Sequence, residues 1–190
     1  MLYPVPAVMV TVGEFAGPSN IITIAWTGTV CTNPPMLYIS VRPERYSYRM
    51  LRESGEFVVN MTTKKLARAA DFCGVRSGRD LDKWKETGLT PEAASVVNAP
   101  LIAESPVNIE CRVKEVLELG SHHMFLAEVC AVDVDGGLLD EKGRLALEKA
   151  EPVVYSHGEY YGLSGLIGSF GYSVRKKGKA GSGKRNHGKG

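Results

Sequence analysis

Apolar and polar positions alternate most cleanly between Val107 and Lys114, where Val107, Ile109, Cys111 and Val113 interleave with Asn108, Glu110, Arg112 and Lys114. A period of two sends the two sets to opposite faces, so the segment predicts a β-strand with one wet face. The strand continues to Leu119 after a phase slip at Glu115-Val116, which predicts a bulge. It then turns at Gly120-Ser121-His122-His123 into a partner over Met124 to Val134. Ala7 to Gly13 and Ile21 to Thr29 are rich in Val, Ile and Thr, and the intervening EFAGPSN supplies turn residues, so a second hairpin is expected. Met36 to Val41 and Glu56 to Met61 read as further strands. Ser47 to Ser54 reads as a short helix stopped by Gly55, Lys64 to Phe72 as a second, and a third is entered through Asp80.

Strands outnumber helices and follow one another through turns, so the expected fold is mainly β, an antiparallel barrel with peripheral helices. No period of 20–50 residues recurs, which excludes a solenoid or propeller. A chain of 190 residues with 44% hydrophobic residues suits one domain with a sizeable core.

Charge divides that chain. Residues 175–190 hold seven of the 23 Lys and Arg and none of the 21 acids, leaving residues 1–174 with 16 basic and 21 acidic groups. An acidic body argues against a broad nucleic-acid surface. The basic, Gly-rich stretch 175–190 lacks the apolar residues to order itself and is expected to be a disordered tail; if any part met nucleic acid, it would be this one. Cys31, Cys73, Cys111 and Cys130 stand 42, 38 and 19 residues apart with no C-x-x-C pair, so no metal site is expected. Without a signal-like start or an apolar run of about 18 residues, a cytoplasmic protein with no membrane association is expected.

Four stretches carry candidate chemistry. In IAWTGTVCTNPP, Ile24 to Pro35, the hydroxyls of Thr27, Thr29 and Thr32 and the bare backbone of Gly28 lie beside the aromatic plane of Trp26. Such groups suit the edge of a flat, polar-rimmed ring such as a flavin, and they equally suit an edge strand ended by Pro34-Pro35. In RPERYSYR, Arg42 and Arg45 precede Ser47 at an expected helix N-cap, a place for a phosphate or a solvated basic turn. In CGVRSGRDLDKW, Lys83 can reach an anion as a mobile point charge, while Asp80 and Asp82 also make an ordinary helix start. Cys73 in the same stretch reads as a small buried hydrophobe. His122 and His123 point to opposite faces, so at most one serves a given site, as a proton carrier near neutral pH or as a solvated turn residue.

Two tempting motifs fail. Gly178 to Lys184 has the G-x-x-x-x-G-K spacing, but Arg185 replaces the Ser or Thr of a P-loop. Gly162, Gly165, Gly168 and Gly171 lack a dinucleotide-binding context.

Taken together, YPVPAVMVTVG, Asn20, TNPPMLYISVRPERYSY, EFVVN, SGRDLDKW, APLIAESPVNIECRV, LGSHHMFLAEV and YYGL resemble the flavin reductase-like family, an FMN-binding split β-barrel, and in particular its flavoredoxin-like branch. The resemblance covers roughly Pro4 to Gly171 within a domain spanning residues 1–174. It implies a homodimer with FMN near the interface, reduced by NAD(P)H or by an electron-carrier protein. By position, Asn20, Trp26, Thr27 and Thr29 would line the ring and ribityl chain, with Gly28 between them. Arg42, Arg45, Tyr46 and Ser47 would hold the phosphate, Lys83 would sit close to the flavin, and His122 would stand beside the ring as the catalytic residue. Ser121 stands where many members carry Asp, which leaves a non-catalytic FMN-binding or storage module as the alternative.

Overall fold

The computed structural model describes residues 2–175; the expected tail lies outside the described residues except for Arg175. Among the described residues twelve strands and three α-helices follow in chain order. The strands are β1 (Val5–Pro6), β2 (Val8–Gly13), β3 (Ser19–Ile24), β4 (Thr27–Cys31), β5 (Met36–Val41) and β6 (Glu56–Met61). They continue with β7 (Pro91–Glu92), β8 (Leu101–Ile102), β9 (Val107–Glu118), β10 (His123–Val134), β11 (Val153–Ser156) and β12 (Glu159–Gly162). The helices are α1 (Tyr46–Ser54), α2 (Ala67–Val75) and α3 (Lys83–Thr87). The fold is mainly β, as the alternation predicts.

Seven strands form one antiparallel sheet in the order β3-β2-β6-β9-β10-β5-β4. Its two edges, β3 and β4, are consecutive in the chain and separated only by Ala25 and Trp26. The step from Ile24 to Thr27 spans at most about 10 Å even when extended, so the sheet curls and brings its two edges near each other at that end. Ser40 N–H, on β5, donates to Trp26 O at 2.9 Å across the junction. The strand expected over Ile21 to Thr29 is therefore two strands on opposite edges, broken where the chain leaves one for the other.

Strand β2 shows why the sheet is buried on both sides. Val8, Val10 and Val12 face inward onto Ile22, Ile24, Ile39, Phe57 and Phe125. Met9, on the other face, packs with Ile21, Leu66, Ala70, Cys73 and Ile102 beneath α2. Asn60 ties the layers together: its amide donates to Met9 O at 3.0 Å, and its Oδ1 accepts from Ile102 N at 2.9 Å.

Smaller differences from the sequence reading have local causes. Gly55 ends α1 in the left-handed region at φ 64°, as expected. The bulge falls at Lys114, which has no partner between the pairs Leu126↔Glu115 and Ala127↔Val113. The second helix opens as a 3-10 turn at Lys64–Leu66 and becomes α-helical only from Ala67. The third starts at Lys83, because Asp82 caps it by accepting from Trp84 N and Lys85 N. Among the described residues no helix is long and apolar enough to cross a membrane.

Candidate functional site

Among the described residues strand β3 pairs with β2 alone, which leaves its outer edge open. Two cavities of about 230 and 210 Å³ follow that edge and share Ile22 and Arg45 in their walls. The first runs toward α1 and the loop after α2, the second toward the β3–β4 junction and the tip of the β9–β10 hairpin.

The first cavity gathers cations and hydroxyls. Arg45 occupies the N-cap of α1 with no side-chain cap, and Ser47, expected at the cap, is the second helical residue. The first-turn N–H groups therefore keep the orphan character and partial positive charge of a helix start. Ser47 Oγ accepts from Asn20 Nδ2 at 2.8 Å, and both residues are buried. Gly78 lies over this pair: a Cβ there would sit 2.4 Å from Asn20 Oδ1 and 2.9 Å from the Tyr46 ring. Arg45 donates to Gly74 O at 2.6 Å and Arg79 to Glu44 O at 3.3 Å. Neither guanidinium, nor that of Arg76, has a carboxylate partner among the described residues.

Lys83 completes the wall and is not the mobile charge expected. It is 3% exposed, with Nζ donating to Ile21 O and Cys73 O at 2.7 Å each. Two carbonyls engage two of its three N–H donors, and among the described residues no carboxylate pairs with it. Burial pushes its pKa down to about 8; the neighbouring Cys73 opposes that shift and Arg45 adds to it. A buried, unneutralised ammonium in the wall of a cavity is a fit for an anion. The Cys73 thiol is pushed up to about 11 by burial, consistent with a packing residue.

The second cavity has a different chemistry. Trp26, half exposed, lies against His122 with ring centroids 4.4 Å apart and planes at 39°. Arg42 borders the same cavity and pairs with Glu44 at 2.8 Å. Burial and the Arg42 guanidinium push the His122 pKa down, against the pull of Glu44, so the imidazole is neutral at pH 7. Ser121 Oγ sits 3.1 Å from His122 Nδ1, so a hydroxyl contacts the ring where the resemblance would place a carboxylate. His123 turns away, with Nδ1 2.7 Å from Tyr48 Oη, so the two histidines serve opposite faces as their adjacency requires.

The structure thus brings together Asn20, Arg45, Tyr46, Ser47 and Lys83 at one end and Trp26, Arg42 and His122 at the other. Thr27, Gly28 and Thr29 continue along β4 and line neither cavity. The Thr27 hydroxyl donates to Tyr38 O at 2.5 Å, and a Cβ on Gly28 would sit 3.2 Å from the Tyr38 ring. The sequence reading missed Arg76, Ser77, Gly78 and Arg79, which line the first cavity. Their signal was a small-residue pair flanked by two arginines, read only for the lysine that follows it. Among the described residues no group of three or more His, Cys, Asp or Glu is placed to hold a metal ion.

Residues 1–164 match the flavin reductase like domain. The chain belongs to that family. An uncharacterized protein of Aeropyrum pernix is 38% identical over 160 residues, which cover 82% of this chain and 58% of that protein. Flavoredoxin of Desulfovibrio vulgaris (Miyazaki F) is 30% identical and superposes with a TM-score of 0.85, covering 92% of this chain and 95% of the flavoredoxin. Flavoredoxin from Methanosarcina acetivorans is 27% identical with a TM-score of 0.83, covering 92% and 95% of the two chains.

Proposed function

We propose that this family member is an FMN-dependent oxidoreductase that binds the flavin along the open edge of β3 and is reduced by NAD(P)H or by an electron-carrier protein. One observation carries the reading: two cavities that share Ile22 and Arg45 along one strand edge have cations, a buried hydroxyl and a helix start at one end, and a half-exposed indole against an imidazole of lowered pKa at the other. A flavin mononucleotide has the matching polarity, a dianionic phosphate joined by a polyol to a flat ring.

In that pose Arg45, Ser47, Lys83 and the Arg76–Arg79 loop hold the phosphate, and Asn20 positions Ser47. The β3 backbone follows the ribityl chain, with Trp26 and His122 beside the ring. A bound flavin supplies the hydride and electron chemistry, while the chain binds, orients and limits access of water. The neutral His122, contacted at Nδ1 by Ser121, is suited to accept or relay a proton at pH 7.

Consecutive strands on opposite edges of one curled sheet support the split-barrel reading. The exposed Leu166, Ile167 and Phe170 supply apolar surface for a second copy in a homodimer. Comparing FMN with riboflavin tests the pose, because the two differ only in the phosphate. Riboflavin is expected to bind at least about tenfold more weakly, given roughly 1.5–3 kcal/mol per charged hydrogen bond. Equal affinities would remove the phosphate from the first cavity.

A further inference from the structure

Ser47 lines the first cavity and His122 the second, and in each case the next residue along the chain turns away from the cavity. Successive helical residues differ by about 100° around the axis, so Tyr48 leaves α1 toward the sheet and packs on the core that contains Phe57 and Phe125. Successive strand residues face opposite ways, so His123 points inward, opposite the buried Val41 of β5.

The two inward side chains meet. Tyr48 Oη lies 2.7 Å from His123 Nδ1, with the ring centroids 5.3 Å apart and the planes at 76°. The Tyr48 ring also stands edge-on to Phe125, at 5.7 Å. The His123 side chain is 15% exposed, and Glu118 Oε1, on the facing residue of β9, lies 4.0 Å from the same Nδ1.

This contact closes a bracket around the site. On one side Tyr48 is bonded in sequence to Ser47, whose hydroxyl is held by Asn20 in the first cavity. On the other, His123 is bonded in sequence to His122, whose ring lies against Trp26 in the second. The pairing of β10 with β5 begins at His123↔Val41, so residues 119–122 project beyond it. That tip is closed on itself by Leu119 N–H donating to His122 O at 3.1 Å. Its placement relative to α1 therefore depends on the side chain of the last residue before the sheet takes over.

We infer that Tyr48 and His123 are positioning residues that set the distance between the Ser47 hydroxyl and the His122 imidazole and couple occupancy of the anion cavity to the placement of that imidazole. A ligand with an anion at one end and a flat ring at the other must match that distance, whereas a free anion uses one end only. The role rests on the flavin reading of the two cavities and adds to it the pair of side chains that fixes their spacing.

The test uses flavin-free full-length protein, titrated with FMN and separately with inorganic phosphate while the histidine NMR signals are followed. Tyr48→Phe deletes the hydroxyl and keeps the ring that packs on Phe125, His123→Leu removes the ring nitrogens, a double variant combines them, and His123→Asn keeps a polar atom near the place of Nδ1. In wild type, inorganic phosphate is expected to shift the His122 signal; Tyr48→Phe is expected to bind phosphate equally well and to lose that shift. FMN is expected to bind Tyr48→Phe and His123→Leu about three- to tenfold more weakly, the double variant no more weakly than the poorer single, and His123→Asn within about twofold of wild type. FMN affinity or the phosphate-induced shift unchanged in Tyr48→Phe would overturn the inference alone. An equal loss of inorganic phosphate binding in Tyr48→Phe would also overturn it, by making Tyr48 a support of α1 and nothing more. Failure of wild type to bind FMN would overturn the flavin reading and the inference with it.

Discussion

The amide of Asn20, on β3, donates to the hydroxyl of Ser47, in the first turn of α1, at 2.8 Å, and both side chains are buried. This bond joins the open sheet edge to the helix start and fixes the hydroxyl that faces the proposed phosphate. Ser47→Ala would strand the amide without a partner and is expected to lower stability by about 1–3 kcal/mol. FMN affinity is expected to fall about tenfold in the same variant. Thermal melts and flavin titration read the two effects separately.

Gly78 presses on that bond from above. Gly78→Ala would place a Cβ 2.4 Å from Asn20 Oδ1, so the amide must move. A loss of about 1–3 kcal/mol in stability is expected, with weaker FMN binding, and denaturant unfolding of the flavin-free protein checks it. Gly88, with nothing within 4 Å of an added Cβ but a φ of 69°, serves as a comparison in which any cost comes from the backbone alone.

Lys83 gives the site a pH dependence with a defined sign. Its pKa of about 8 in the folded protein lies below the ordinary 10.5. Between those values the unfolded chain binds the proton more fully, so this group's contribution to the stability of flavin-free protein rises with pH in that window. Phosphate binding favours the charged form, so FMN affinity is expected to fall as pH rises through about 8. In Lys83→Met the affinity is expected to be lower at pH 7 and to lose that fall. Fluorescence titration of FMN from pH 6.5 to 9.5 compares the two proteins.

At the ring end, Ser121 contacts His122 Nδ1 at 3.1 Å. Ser121→Asp would set a carboxylate there and is expected to raise the imidazole pKa by about one unit or more. Histidine NMR titration reads this directly. If proton relay through His122 limits turnover, the pH profile of flavin reduction is expected to shift with it.

Away from the groove, Asp133 lies against Glu110, whose carboxylate accepts from the backbone N–H groups of Ser95, Val96 and Val97 at 2.7, 2.7 and 2.9 Å. Burial and the Glu110 carboxylate push the Asp133 pKa up, so the stability it lends is present at low pH and is lost as pH rises through its folded pKa. Asp133→Asn replaces repulsion with a donor and is expected to stabilise the protein at pH 7 by about 1 kcal/mol, with little effect at acid pH. Melting temperatures at both pH values test it.

The mainly β fold was legible because Val107 to Val113 alternate with period two, but the wet face expected of that strand begins only at Arg112: Asn108 and Glu110 are buried, and Glu110 accepts from the backbone of Ser95, Val96 and Val97 packed over it. The break at Ala25-Trp26 was not, since Ile21 to Thr29 is uniformly strand-forming and only the curl of the whole sheet divides it. Arg45, Tyr46 and Ser47 were legible as candidates for one anion-binding wall because adjacent residues carry the whole signal, and they line the same cavity. The Ser77–Arg79 contribution depends on α2 returning the chain to the start of α1, a tertiary fact with no local mark. The hydroxyls of Thr27 to Thr29 showed chemistry without direction, and the Thr27 hydroxyl is used within the sheet.

The most direct measurement is the absorbance spectrum of the purified protein with FMN supplied, followed without oxygen as NADH and then NADPH are added. A flavin spectrum that remains with the protein through gel filtration and bleaches with one nicotinamide is the expected result, and it names the donor. Bands that bleach only with dithionite would assign reduction to a protein carrier. A protein that stays colourless with FMN in excess would contradict the flavin site at the β3 edge.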